Sequence, residues 1–121
     1  MEAPRRLRFP KAARLRTPEE FRAVRAARRG VRDHVLDIAF RRNGLPLTRL
    51  GLAITIRGIG AVHRNRVKRV LREIFRLRRP DLPMGLDLVV VARDPAAAGD
   101  FAVAAKSFDA LVRRIAEVAA R

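Results

Sequence analysis

The chain contains no cysteine, which excludes disulfide bonds and thiolate metal sites built from its own residues. Tryptophan and tyrosine are also absent, so six phenylalanines supply all of its aromatic rings. No apolar run approaches the roughly 20 residues that a membrane-spanning helix needs, and the basic start lacks the apolar segment of a secretory signal. From these absences we expect a cytoplasmic protein.

Acidic residues are scarce as well. The chain has 12 Asp and Glu but 28 Lys and Arg, which gives a formal net charge of +16. A small domain needs a net charge of only roughly 2–8 for solubility, and a larger charge destabilises the compact state by self-repulsion. The surplus therefore predicts a polyanionic partner. The length of 121 residues and 49% hydrophobic content indicate one domain over residues 1–121, with order of the basic stretch 1–12 left open.

The first helix is predicted from its start signal. Thr17 can cap the helix, Pro18 suits the first helical position and Glu20 completes a capping box. Phe21 then begins an apolar face, and Gly30 is a plausible end.

Three segments have the patterns of strands. Residues 36–41 and 50–56 alternate apolar with small or polar side chains, and Asn43-Gly44 lies between them. We interpret these two runs as an antiparallel pair whose small and polar face could accept a long polar ligand. Leu86–Ala92 is nearly all apolar, as expected for a strand covered on both faces.

Two further helices are predicted, over residues 61–79 and after Asp100. The first has a core-facing stripe at helical spacing, formed by Val67, Val70, Leu71, Ile74 and Phe75. The stripe of the last helix comprises Phe101, Ala104, Ala105, Phe108, Leu111, Val112, Ile115 and Val118 or Ala119. With a short strand near Val31, the order α-β-β-(β)-α-β-α predicts an α+β sandwich.

The helix over residues 61–79 carries eight Lys and Arg and one acid, Glu73. A cationic ridge lies opposite its apolar stripe and consists of Asn65, Lys68, Arg69, Arg72, Arg76 and Arg79. Solvated helix faces normally mix charges of both signs, and cations near a helix start are unfavourable. A bound phosphate reverses both effects, so the ridge predicts a nucleic-acid backbone as partner. The element before this helix is a predicted strand, which favours RNA over a helix-turn-helix that binds DNA.

The string "RNRVKRVLRE", from Arg64 to Glu73, resembles the signature of the bacterial ribonuclease P protein family. "RLRTPEEFRAVRAARRG", "RLGLAIT" and "GLDLVVVARDPAA" resemble its first helix, central strand and last strand, so the resemblance covers about residues 13 to 117. It implies a single-domain two-layer α+β sandwich with a mixed sheet and a left-handed crossover around the basic helix, a fold related to a domain of a ribosomal protein.

The resemblance also implies a function. The protein would be the subunit of a ribonucleoprotein that removes the 5′ leader from precursor tRNA. Catalysis would belong to an RNA subunit working with Mg²⁺, and the protein would bind that RNA in a 1:1 complex and broaden the substrate range. The residues that match the RNA-contacting motif are Arg64, Asn65, Arg66, Lys68, Arg69, Arg72 and, one turn further, Arg76.

Residues for the 5′ leader follow from the same resemblance. Phe21 matches an aromatic position of the leader cleft, although a role as core anchor is equally open. Arg25 stands where the family has an aromatic residue, and Arg57 stands where it has paired lysines. Leader binding is therefore expected to depend more on charge than on stacking.

No catalytic residue and no metal site are predicted on the protein itself. His34 and His63 have no acid or second histidine at useful spacing, and the aspartates are scattered. A structural or chaperone-like RNA-binding protein, such as a ribosomal component, is the alternative that composition leaves open. A membrane-surface protein with an amphipathic basic helix is a weaker one, because the apolar stripe is needed for the core.

Overall fold

The computed structural model describes residues 9–54 and 59–119 of the chain. Four strands form one mixed sheet: β1 Gly30–Arg32, β2 Leu36–Arg42, β3 Arg49–Leu52 and β4 Leu86–Ala92. The helices are α1 Pro18–Ala26, α2 Ala61–Arg78, α3 Pro95–Ala98 and α4 Phe101–Ala119. Single 3-10 turns occupy Lys11–Ala13 and Arg79–Asp81. In the described ranges, no helix is both long and apolar enough to cross a bilayer.

The predicted capping box starts α1. The Thr17 hydroxyl accepts a hydrogen bond from the Glu20 N–H at 3.2 Å, and the Glu20 carboxylate accepts one from the Thr17 N–H at 2.9 Å. The helix ends at Ala26, earlier than predicted, and Gly30 opens β1 instead. The chain leaves the helix through Arg28, whose φ of 52° lies in the left-handed region. Glycine adopts that conformation at little cost, whereas an arginine is strained in it.

We expect Arg28→Gly to stabilise the protein by about 0.5–1 kcal/mol, because it relieves the left-handed strain and Arg28 is exposed. The matched control is Ala27→Gly, since Ala27 has a helical φ of −68°. There glycine should lower stability by up to about 1 kcal/mol. Urea unfolding measures both variants, and a loss of stability in Arg28→Gly would contradict the account of this turn.

The sheet order is β1-β2-β4-β3. The predicted antiparallel pairing of the second and third strands is therefore wrong, because β4 lies between them, antiparallel to β2 and parallel to β3. The physical reason is that β4 is apolar along almost its whole length and is best buried in the middle of the sheet. The α2 crossover is long enough to join two parallel neighbours. Thr55 and Ile56 of the predicted third strand lie outside the described residues.

The larger part of the core lies on one face of the sheet, beneath α2 and α4. Leu36, Ile38 and Phe40 of β2 alternate onto this face with Leu88 and Val90 of β4, and all five are buried. This arrangement confirms the predicted α+β fold and mixed sheet. On the helix side the prediction for Phe101 is wrong, because this residue is 41% exposed at the first position of α4, outside the buried stripe.

The second face of the sheet is covered in part by α1. A small apolar cluster joins Leu15, Val24 and Val89, with Phe21 packed against it. β3 presents Gly51 to this face. The sequence predicted a sheet face built of small side chains, and Gly51 of β3 lies on such a face. Near β3 this face is covered by α1 of the same chain.

Candidate nucleic-acid interface

Helix α2 is amphipathic in the orientation that the sequence predicts. Val67, Leu71, Ile74 and Phe75 are buried against the sheet and α4, whereas Val70 is only half-buried. The polar side chains therefore lie on the side of α2 that faces away from the core. Gly60 precedes the helix without a side-chain cap, and no acid lies in the first turn.

Three of the basic side chains on α2 are bonded within the protein. Arg66 Nε donates to the Gly99 carbonyl at 3.1 Å and joins α2 to the end of α3. Arg78 pairs with Asp109 of α4 at 2.9 Å. Arg76 is hydrogen-bonded to Glu73 one turn earlier, and this bond is the main reason that the pKa of Glu73 lies below its ordinary value.

Five other polar side chains of α2 make no hydrogen bond or ion pair with residues 9–54 and 59–119. We call them the open group, and they are Arg64, Asn65, Lys68, Arg69 and Arg72. Their neighbours at i+3 and i+4 are largely of the same sign, which costs stability in an isolated helix. All five belong to the predicted RNA-contacting set, in which Arg66 and Arg76 have partners within the protein.

The two histidines are placed differently. His34 is exposed between β1 and β2. His63 is half-buried, and its Nε2 lies 2.8 Å from the Pro95 carbonyl oxygen. Its ring also closely approaches Gly99, where a Cβ would lie 3.0 Å from Cε1 of His63. Together with Arg66, His63 thus positions the α3 turn against α2.

Phe21 is half-buried where α1 crosses β3. Its ring lies directly over Gly51, because an added Cβ at that glycine would be 2.7 Å from Cζ of Phe21. The ring packs against the cluster of Leu15 and Val24 and also lines a small cavity. Both interpretations of Phe21 as core anchor and as cleft residue are therefore compatible with its position.

Gly51→Ala should destabilise the protein by about 1–3 kcal/mol, the usual cost of overpacking, because the new methyl group would displace the Phe21 ring. The loss should be smaller when Phe21→Leu is present, since a shorter side chain leaves room for the methyl group. A double-mutant cycle of urea unfolding measures this coupling. Strict additivity of the two changes would contradict the contact.

The other predicted leader residues are only partly placed. Arg25 is exposed in the last turn of α1, on the same helix as Phe21. Arg57 lies outside the described residues. Phe21 and Arg25 thus lie on the same helix. The leader-binding role of Phe21, Arg25 and Arg57 stays a prediction.

An ion network that the sequence analysis missed fixes α1 to the sheet. Asp87 of β4 is fully buried, and both of its oxygens accept hydrogen bonds from Arg49 at 2.8 Å. Asn43 donates to it at 2.8 Å, and Arg41 lies 3.4 Å away. Arg49 also reaches Glu20 of α1 at 2.9 Å. The signal was present, because an acid inside an otherwise apolar strand requires a partner.

The electrostatics of this network favour the ionised carboxylate. Burial raises the pKa of Asp87, but hydrogen bonds from Arg49 and Asn43 and the charges of Arg49 and Arg41 outweigh it, so the pKa lies below its usual value. The pKa of Glu20 is lowered chiefly by the backbone N–H groups of Arg16 and Thr17. The network is therefore structural, since its acids are already saturated by protein donors.

The described residues do not fit a metal held by the protein alone. Within 9–54 and 59–119 no three His, Asp or Glu side chains are grouped so that they could coordinate an ion. Asp87, the carboxylate that is fully buried there, accepts from arginine and asparagine instead.

Comparison with known proteins gives consistent results. The family model described as Ribonuclease P matches residues 9–116. A ribonuclease P protein component from Methylococcus capsulatus is 42% identical over 102 residues, or 84% of this chain and 79% of the relative. One from Escherichia coli is 36% identical over 110 residues, or 90% and 92% of the two chains.

Solved structures agree with the sequence relatives. The RNase P protein of Staphylococcus aureus superposes with a TM-score of 0.76 at 27% identity, covering 89% of this chain and 98% of that one. The RNase P protein of Thermotoga maritima gives a TM-score of 0.75 at 29% identity, covering 84% and 96%.

Proposed function

This chain belongs to the ribonuclease P protein family, and we propose that it assists an RNA catalyst by binding RNA on two surfaces. As a ribonuclease P protein component it is a subunit of the endoribonuclease complex of tRNA 5′ processing, and its partner is the ribonuclease P RNA. What the family name leaves open is which surfaces bind which RNA and where the active site lies.

The open group on α2 is the proposed surface for the catalytic RNA. The observation that carries this proposal is that Arg64, Lys68, Arg69 and Arg72 share one helix without a protein partner in the described ranges. Their mutual repulsion is relieved when phosphates are bound between them. Arg66 and Arg76 border this surface, and we propose that both also contact the RNA.

Precursor tRNA is the proposed substrate, with its 5′ leader lying near α1. Phe21 offers part of its ring for stacking, and Arg25 offers an exposed charge on the same helix. Arg57 is proposed as a further leader contact from the sequence alone. One protein per RNA is the proposed stoichiometry.

We propose that the active site and its Mg²⁺ lie in the RNA subunit. Two observations support this: the described residues offer no group of three or more acids and histidines that could hold a metal, and the buried Asp87 accepts from Arg49 and Asn43. On this view the protein contributes binding and positioning and no proton transfer.

Reconstitution tests the function. The protein alone should leave precursor tRNA intact, and addition of the cognate RNA and Mg²⁺ should release a 5′-matured tRNA. At moderate salt the protein should stimulate cleavage by that RNA, and affinity for precursor tRNA should depend on leader length. A structural RNA-binding protein would give neither stimulation nor leader dependence, and that result would overturn the proposal.

A further inference from the structure

One aromatic ring of the chain is exposed on its surface. Phe101 is 41% exposed at the first position of α4, whereas the other five phenylalanines are buried or half-buried. Phe101 also belongs to neither apolar cluster of the fold. A single exposed apolar side chain is ordinary in a protein surface, so the surroundings of this ring decide whether it has a function.

Phe101 lies on the side of α4 that faces α2. Phe101, Ala105 and Asp109 form one i, i+4, i+8 row along the helix. Asp109 pairs with Arg78 at the end of α2, with 2.9 Å between the two charged groups. The row therefore leads back from that ion pair toward the beginning of both helices.

The first turns of α2 reach the same place through Arg66. Its Nε donates to the Gly99 carbonyl at 3.1 Å, two residues before Phe101, and two residues span at most about 7 Å. The ring of His63 lies against Gly99 as well. Its neighbour Val62 precedes Arg66 by one helical turn and is 85% exposed. We call Val62, Arg66 and Phe101 the junction patch, because they lie where the start of α2 meets the start of α4.

Resting on the function proposed above, we propose that Phe101 stacks on an unpaired base of the ribonuclease P RNA, next to a backbone contact of Arg66. Unpaired bases in RNA loops and bulges stack on aromatic side chains, and this contact requires a ring but no charge. Arg69 of the open group follows Arg66 by one turn on α2. The junction patch is therefore continuous with the surface proposed for the catalytic RNA.

The size and surroundings of the junction patch favour a base over a protein partner. A stable protein interface covers roughly 800 Å² on each partner, whereas the apolar part of this patch consists of two side chains. The positive charges of α2 border it on one side. Asp100 is the acid next to Phe101, and its carboxylate accepts a hydrogen bond from the Val103 N–H at 3.1 Å. That negative charge is thus engaged at the start of α4.

Affinity of the protein for the RNA subunit, measured without precursor tRNA, tests the stack. Phe101→Leu should weaken binding by at least about fivefold, the low end for the loss of one stacked base. Phe101→Tyr keeps a ring and should bind like the unchanged protein. The slope of log affinity against log salt should stay the same in Phe101→Leu, because no phosphate contact is removed.

Val103 provides the matched control on the same helix. It is also 41% exposed, but it lies on another side of α4. Arg114 follows it by three turns and donates to the Arg32 carbonyl of β1 at 3.3 Å, so this side is turned toward β1. Val103→Ala removes exposed apolar surface outside the junction patch and should leave the RNA affinity unchanged.

Fluorescence gives a readout that does not depend on affinity. The chain has no tryptophan, so Phe101→Trp places a single indole in the junction patch. Its emission should be quenched when the RNA subunit binds, because the stacked base contacts the indole directly. Val103→Trp should change little. Equal quenching at the two positions, or none at position 101, would refute the stack.

Three further results would overturn the proposal. One is Phe101→Leu binding the RNA like the unchanged protein while the unchanged protein still stimulates cleavage. Another is a shallower salt slope in Phe101→Leu, which would assign the loss to phosphate contacts. The third is weaker self-association of Phe101→Leu in sedimentation of the protein alone, with unchanged RNA affinity, which would make the patch an interface between two copies. A failure of the unchanged protein to stimulate cleavage would instead refute the proposed function.

Discussion

Arg69→Gln combined with Arg72→Gln should weaken binding to the ribonuclease P RNA by about 100-fold at moderate salt. Each lost charge-assisted contact is worth about 1.4 kcal/mol, or tenfold, and neither side chain has a protein partner in the described ranges to hold it elsewhere. The slope of log affinity against log salt should become shallower by about 0.7–0.9 for each phosphate contact removed. Filter binding over a salt series measures both quantities.

The matched control is Lys106→Gln combined with Arg113→Gln, which removes the same charge from exposed positions of α4. It should lower affinity only slightly, through the reduced overall field. The α2 double variant should also remain folded, and slightly more stable, because Arg69 and Arg72 are like-charged neighbours at i and i+3. Equal losses in the two double variants would show that net charge, and not the α2 face, determines binding.

Asp87→Asn should destabilise the protein by about 3–5 kcal/mol, a large part of the roughly 5–15 kcal/mol that stabilises a typical domain. The carboxylate is fully buried and accepts two hydrogen bonds from Arg49, whose own side chain is only 16% exposed. An amide at this position would leave that guanidinium partly buried without its main counter-charge. Urea unfolding at neutral pH measures the change, and a loss below about 1 kcal/mol would contradict the role of this network.

Acid unfolding gives an independent test of the same carboxylate. Because the folded pKa of Asp87 lies below its unfolded value of about 3.9, its contribution is complete above that value and is lost as the pH falls through the folded pKa. The unchanged protein should therefore lose stability below about pH 4 more steeply than Asp87→Asn does. Asp37→Asn is the control, because Asp37 on neighbouring β2 forms no ion pair with the described residues. It should keep the steep acid slope.

Helix and strand positions were largely predictable because they depend on local signals. The capping box at Thr17, the apolar stripe of α2 and the continuous apolar run of β4 each specify an element on their own. Pairing of the strands was not predictable in the same way, since Asn43-Gly44 suggests a hairpin that the longer-range burial of β4 overrides. The short helix α3 and the exposure of Phe101 also depend on tertiary packing, which periodicity does not report.

In the candidate site, too, some features were predictable from the sequence and others depend on tertiary packing. Spacing on α2 places the cations on one face, but only the structure separates Arg66 and Arg76, which have protein partners, from the open group. The contact of the N-terminal segment with β3 carried no signal in the sequence, because it depends on a bridge between Arg14 and Leu50 in a distant strand. Asp87 did carry one, as a single acid within an apolar strand.

Site-directed crosslinking tests the central claim most directly, that the outer face of α2 contacts the ribonuclease P RNA. The chain has no cysteine of its own, so a single introduced thiol can carry a photo-crosslinker without background. Asn65→Cys on α2 should crosslink efficiently to the RNA in the assembled particle, and Glu117→Cys at the exposed end of α4 should not. Crosslinking from position 117 with none from position 65 would contradict the account.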